Sequence, residues 1–282
     1  MNLVTVTCER DFLSLILQAK SVQKYVKECI HWVIINDTDP YSIDWQLLLS
    51  PYYDNKRHVL KLIYHDPKYW KLIYNGWVIQ QILKLEAINF VQDNYLLLDS
   101  KNFFVVPTDL TTWKDDGCGI LVSEKINSEV YNLWLPVSQI YADDLGMSLL
   151  DTYYAPETPF FIKKDIATAA INRLEFGKWF IENSYSAPGA SEFLYYSYFL
   201  IKNGYQINWH RRHHCIWPVP AHLNYIDKWF NASDFNLMEI SGIHRVWIEK
   251  ANLESRKKVY DWLDNLGLLE EQTKNLFLLG DE

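Results

Sequence analysis

Over its first hundred residues the chain alternates short apolar runs with segments of helical period, and this alternation leaves few ways to fold. Leu3 to Thr7 is a β-branched run ending in Cys8-Glu9-Arg10-Asp11, which predicts a strand leading into a loop. From Phe12 to Val26 the apolar positions Leu13, Ile16, Leu17, Val22 and Val26 recur at helical spacing. Ile30 to Ile35 predicts a second strand, ending at Asn36-Asp37-Thr38-Asp39, and Val59 to Tyr64 a third. Parallel neighbours need a crossover, so the pattern implies βαβ units and an α/β fold with a mixed, mainly parallel sheet flanked by helices. Ligands of such sheets bind beyond the carboxyl ends of the strands. That rule brings Cys8 to Asp11, Asp37 to Asp39 and Asp99 to Asn102 towards one crevice.

Trp77 to Val91 predicts a helix whose wheel places Trp77, Gln80, Gln81, Lys84 and Ile88 in one arc, with Val78, Ile79, Ile82, Leu83 and Leu85 opposite. The polar stripe either faces solvent or lines a site. Tyr95 to Leu98 is continuously apolar, as suits a strand covered on both faces. Residues 107–160 show no clear period, with Pro107, Pro136, Pro156 and Pro159 breaking short runs. Helices are expected over Lys164 to Asn183, Ala190 to Lys202 and Leu253 to Leu269, and a strand near Tyr205 to Trp209. Without a repeat or low-complexity linker no domain boundary is visible, and a single domain over 1–282 is expected, in three stretches: 1–106, 107–250 and a C-terminal helical segment over 251–282.

At 282 residues, 49% of them hydrophobic, the chain can bury a large core. Its net charge of −8 opposes binding to nucleic acid or anionic lipid. Aromatic residues make up 16%, which serves either stacking against sugar rings or a large mixed core. Cys8, Cys29, Cys118 and Cys215 form no C-x-x-C pair, which argues against a zinc ribbon or redox dithiol, and a reduced, cytoplasmic setting is the default. No run is long enough to span a bilayer, which leaves peripheral attachment open.

A carboxylate at the end of a buried strand, such as Asp99, can hold Mg²⁺ or Mn²⁺ against a diphosphate. It can equally serve a turn. Glu192 follows Pro188-Gly189-Ala190-Ser191 at a predicted helix start, where it could accept a proton from a hydroxyl or merely favour the helix dipole. His210-Arg211-Arg212-His213-His214 is the densest basic patch and could meet an anion or ligate a metal, although neighbours on an extended segment point to opposite sides. His244, with Arg245 in Ser241-Gly242-Ile243-His244-Arg245, is a candidate diphosphate or metal contact on a glycine-containing loop. Neither G-x-S-x-G, a P-loop, H-E-x-x-H nor G-x-G-x-x-G occurs, which sets aside the common hydrolase, kinase and dehydrogenase readings.

The segments Gly76-Trp77-Val78-Ile79-Gln80-Gln81-Ile82-Leu83-Lys84-Leu85 and Tyr95-Leu96-Leu97-Leu98-Asp99-Ser100-Lys101-Asn102-Phe103-Phe104 resemble the DUF6492 group. So do the opening Val4 to Asp11, Ser191-Glu192-Phe193 and the late Ser241 to Arg245, all in the same order. The resemblance implies a Rossmann-like GT-A fold and a glycosyltransferase taking a UDP- or GDP-sugar as donor and a glycan or other hydroxyl as acceptor. It further implies Mn²⁺ or Mg²⁺ on a D-x-D-type motif, here Asp99 with Asn102 and His244, because Lys101 stands where the second Asp is usual. Thr7, Arg10 and Asp37 would line the nucleotide crevice, Gln80 and Lys84 would face the donor, His244 and Arg245 would contact the diphosphate, and Glu192 would be catalytic. Lys101 also motivates an alternative, a catalytically inactive GT-A-like protein that binds glycans or partners. A metal hydrolase built on His210 to His214 is a weaker third.

Overall fold

The computed structural model describes residues 1–65, 68–113, 123–125, 129–150, 152–154, 158–173, 175–184, 191–205, 213–223, 226–231 and 238–278. The expected strands form as β1 (Asn2–Thr7), β2 (Cys29–Ile35), β3 (His58–Tyr64) and β4 (Tyr95–Asp99). Short strands follow: β5 (Asn102–Phe104), β6 (Ser123–Lys125), β7 (Thr152–Tyr154), β8 (Phe160–Ile162), β9 (His213–Ile216) and β10 (Ile240–Ile243). The main sheet has the order β3-β2-β1-β4-β8, parallel from β3 to β4, with β8 antiparallel to β4. Two smaller sheets join β5-β10-β9 and β6-β7.

The helices are α1 (Phe12–Tyr25), α2 (Trp45–Leu49), α3 (Gly76–Glu86), α4 (Ile88–Val91), α5 (Glu129–Leu145), α6 (Lys164–Ile171), α7 (Phe176–Ser184) and α8 (Glu192–Lys202). After them come α9 (Pro220–Leu223), α10 (Asp227–Phe230), α11 (Arg245–Lys250), α12 (Leu253–Asn265) and α13 (Glu271–Leu278). None of the described helices is long and apolar enough to cross a membrane.

Both faces of the main sheet are covered, which is why its strands read as continuous apolar runs. Leu3, Val33, Leu96 and Leu98 pack on one face with Leu15 and Val22 of α1 and Trp45 of α2. Val4, Val6, Ile34 and Leu97 pack on the other with Ile79 and Ile82 of α3 and Tyr195 of α8. Much of the aromatic excess is spent here: Tyr195 meets Tyr141, Phe176, Trp179 and Phe199 at ring separations of 4.9–5.7 Å. A third core lies beneath the small sheet, where Phe103, Trp229, Trp247, Leu263 and Phe277 pack with Leu17 of α1.

Two expected helices are divided and a third ends early. The run from Lys164 to Asn183 breaks between α6 and α7, where Glu175 takes a φ of 53°. The run from Leu253 ends at Asn265, and Gly267 at a φ of 61° turns the chain before α13. The helix expected to reach Val91 pauses at Ala87, and Gln92 closes α4 with a φ of 52°. Of the strand expected near Tyr205 to Trp209, residues 206–209 lie outside the described residues.

Buried polar contacts hold the end of β4 in place. Thr5 of β1 donates to Gln18 of α1 at 2.8 Å, and Gln18 donates in turn to the carbonyls of Asp99 and Asn102, each at 2.8 Å. Asn102 Oδ1 accepts from the Asp99 N–H at 2.8 Å and closes the turn between β4 and β5. Gly242 of β10 passes over this turn so closely that an added Cβ would lie 2.9 Å from Cys215 Sγ and 3.0 Å from Asn102 Nδ2. Gly242→Ala is therefore expected to lower stability by about 1–3 kcal/mol through overpacking. The midpoint of chemical denaturation measures it, and an unshifted midpoint would mean that the small sheet gives way without strain.

Candidate functional site

At the carboxyl ends of β1, β2 and β4 the surface opens into two adjoining cavities of about 410 and 730 Å³. They share Arg10, Asp11, Trp77 and Gln80 as a common wall. Helix α3 supplies much of that wall because its start is fixed on the sheet. Asn75 caps it by accepting from the N–H groups of Trp77 and Val78, Asn36 donates to the Gly76 carbonyl at 2.9 Å, and Gln80 donates to the Val6 carbonyl at 3.1 Å. The polar stripe read from the sequence therefore faces the cleft, with Gln81 and Lys84 only 2% and 5% exposed.

The smaller cavity holds the ionic centre. Lys84 Nζ lies 2.8 Å from Asp99 Oδ1 and 2.8 Å from Glu192 Oε1, and Lys101 Nζ lies 3.0 Å from Asp99 Oδ2. Glu192 is the first residue of α8, placed by the cap Ser191, whose Oγ accepts from Leu194 N–H at 3.3 Å. The Ser191 N–H donates to Tyr141 Oη, and the Glu192 N–H to Gln81 Oε1 at 3.2 Å. The Lys84 ammonium also sits 5.0 Å from the ring centre of Phe193, and that of Lys101 4.6 Å from that of Trp217.

Burial works against every charge here, and the outcome differs by partner. Asp99 is disfavoured by burial, but Lys84 and Lys101 outweigh that and hold its carboxyl well below the usual carboxylate range. Burial acts to deprotonate Lys84, yet Asp99 and Glu192 together raise its pKa. Glu192 has only a share of one ammonium, so burial prevails and its pKa rises. Asp11, whose Oδ2 accepts from Ser100 Oγ at 3.3 Å, is likewise raised by burial against the pull of Arg10. His244 is shifted down by burial and then by Lys101, which favours neutral imidazole.

The cleft gathers most of the residues expected from the sequence. Arg10, Gln80, Lys84, Asp99, Glu192, His244 and Arg245 line the smaller cavity, while Thr7 and Asp37 line the larger one with Trp70 and Tyr74. Asp37 Oδ2 accepts from the Glu9 N–H at 2.9 Å, which ties the loops after β1 and β2 together. His244 caps α11 through Nδ1, which accepts from Val246 N–H at 3.2 Å. Arg245 pairs with Glu249 at 2.7 Å. Asp39 is exposed and does not line either cavity. Residues 210–212 of the basic patch lie outside the described residues.

Asp11, Gln81, Lys101, Trp134 and Trp217 also line the smaller cavity without having been singled out as site residues. Asp11 and Lys101 carried a signal, since each follows a strand end, and Gln81 lay on the polar stripe of α3. Trp134 and Trp217 carried none.

The expected metal ligands do not fit a divalent ion. Asn102 is 1% exposed, its amide oxygen is committed to the Asp99 N–H, and it does not line the cavity. Both carboxylate oxygens of Asp99 already face ammonium groups. A divalent ion about 4 Å from one ammonium is repelled by about 8 kcal/mol at an effective dielectric of about 20. Among the described residues no three His, Cys, Asp or Glu side chains are grouped to hold a metal. Asn102 thus shapes the turn, and Asp99 anchors two lysines.

A model of the family DUF6492, a family of unknown function, matches residues 10–245, and the chain belongs to that family. No curated protein matches it. Among solved structures it is similar to the galactosyltransferase LgtC in complex with donor and acceptor sugar analogues, with a TM-score of 0.50 at 12% identity over 98% of this chain and 100% of that one. This likeness is one of fold, and it makes the architecture GT-A-like.

Removing the ammonium shared by Asp99 and Glu192 would leave two buried carboxylates without their common partner. Lys84→Met is expected to destabilise the protein by about 3–5 kcal/mol. Adding Glu192→Gln to that variant should recover part of the loss, as read by urea unfolding. A Lys84→Met protein as stable as wild type would show that the centre is not held by this pair.

Proposed function

We propose that this protein is a glycosyltransferase that moves a sugar from a nucleotide-sugar donor, a UDP- or GDP-sugar, onto a hydroxyl of a glycan or other acceptor. The observation that carries the reading is a cleft at the carboxyl ends of parallel strands in a GT-A-like fold, where four cations, Arg10, Lys84, Lys101 and Arg245, gather on an acidic chain. The larger cavity, with Thr7, Asp37, Trp70 and Tyr74, receives the nucleoside, and the smaller one the diphosphate and sugar.

In the reaction the bond from the anomeric carbon to the β-phosphate oxygen breaks, and its electron pair departs on the nucleoside diphosphate. The acceptor oxygen bonds to the anomeric carbon, and its proton passes to Glu192 if the centre inverts. If the configuration is retained, Glu192 orients the sugar instead, and the acceptor proton passes to the departing phosphate oxygen. Lys84 keeps Glu192 in the cleft wall, and the raised pKa of Glu192 makes it a stronger base than a solvated carboxylate. Lys101 in the D-x-D position favours one other reading, a catalytically idle GT-A-like binder of glycans or partners.

A screen of UDP- and GDP-sugars for release of free nucleotide separates the two, since an idle binder releases none. With Glu192 as base, Glu192→Gln lowers kcat by about a hundredfold or more. Because Glu192 must be ionised to accept the proton, wild-type kcat should fall as pH drops through its raised pKa, and the variant should lose that acid limb. A wild-type rate in Glu192→Ala would remove the role proposed for Glu192.

A further inference from the structure

We infer that the protein holds the diphosphate of its ligand with ammonium and guanidinium groups alone, Lys101 with Arg10 and Arg245, and without a divalent cation. The identity of that ligand as a nucleotide-sugar rests on the glycosyltransferase reading, whereas the anion site itself does not. The charges lining the smaller cavity are Arg10, Lys84, Lys101 and Arg245 against Asp11, Asp99 and Glu192, a positive balance on a chain of net charge −8. Lys84 is spent between Asp99 and Glu192. Lys101 is not: one oxygen of Asp99 engages it, an ammonium has three donors, and its side chain remains 20% exposed on the cavity wall. Arg10 is exposed and forms no salt bridge among the described residues, and Arg245 remains about one-third exposed beside its pair with Glu249.

The same residues explain why a metal is not needed. A divalent ion would have to displace Lys84 or Lys101 from Asp99 before it found a ligand. Lys101 instead places its charge beside the strand end, held between the Asp99 carboxylate and the Trp217 ring. An ammonium there meets diphosphate oxygens directly and offsets the charge left on the departing group.

Calorimetry on the full chain tests this with three probes: inorganic pyrophosphate in EDTA, Mn²⁺ alone, and UDP or GDP with and without Mn²⁺. Pyrophosphate is expected to bind in EDTA, more weakly as salt rises, and Lys101→Gln and Arg245→Gln should each weaken it about tenfold or more. Lys101→Arg should retain most of the affinity, which separates a loss of charge from a loss of fold, and melting curves confirm that each variant is folded. Pyrophosphate that binds only when Mn²⁺ is present overturns the inference, as does Mn²⁺ that binds alone and is lost in Asp99→Asn. If pyrophosphate binds without metal but neither UDP nor GDP binds more tightly than it, the anion site stands and the nucleotide-sugar reading falls.

Discussion

The structure turns on one buried ammonium. Lys84, on the inner face of α3, sits between the carboxylate that ends β4 and the one that begins α8, and so joins the main sheet to a helix from far along the chain. Burying three charges is expensive, and replacing such a group by well-packed apolar side chains is often neutral or better for stability. What apolar replacement could not provide is position. The Tyr141 hydroxyl takes the Ser191 N–H, Ser191 caps α8 at Leu194, and the Gln81 amide takes the Glu192 N–H; together they fix the start of α8 and hold a carboxylate in a cavity wall where an exposed side chain would wander.

The remaining cleft follows from where the strands stop. β1, β2 and β4 run parallel, so their polar ends emerge on one side, and short contacts between loops then fix their spacing: Glu9 to Asp37, Ser100 to Asp11, and Gln18 to the turn after β4. Aromatic residues divide between two tasks. Tyr141, Phe176 and Tyr195 pack in the interior, whereas Trp70, Tyr74 and Trp77 stand along the larger cavity, with Tyr74 86% exposed. Exposed rings beside polar side chains suit a ligand with both apolar faces and hydroxyls.

How much of this was legible in the sequence depended on whether local pattern decided the outcome. The strands of the main sheet were legible because burial on both faces leaves them uniformly apolar, and the crevice followed from the acids at their ends. The stripe of α3 was visible too, although period alone could not say whether it met solvent or a cavity. The partner of Lys84 was not legible, since Glu192 comes from a helix far along the chain. The division at Glu175 was silent because neither Gly nor Pro marks it, and helical spacing resumes on the other side. Metal ligation was expected from the place of Asp99 at a strand end and from the resemblance, and Lys101, the departure from the motif, stood in plain view within it.

The wall formed by α3 carries a further consequence. Trp77, Gln80, Gln81 and Lys84 reach the cleft because a helix turns about 100° per residue. One residue inserted among them would rotate all that follow by that angle, sending Lys84 towards the hydrocarbon interior and a leucine or isoleucine into its place. Substitutions along this helix can be absorbed singly, but its length can change only in near-whole turns, so relatives that keep the ionic centre should show no one- or two-residue gaps between Asn75 and Lys84.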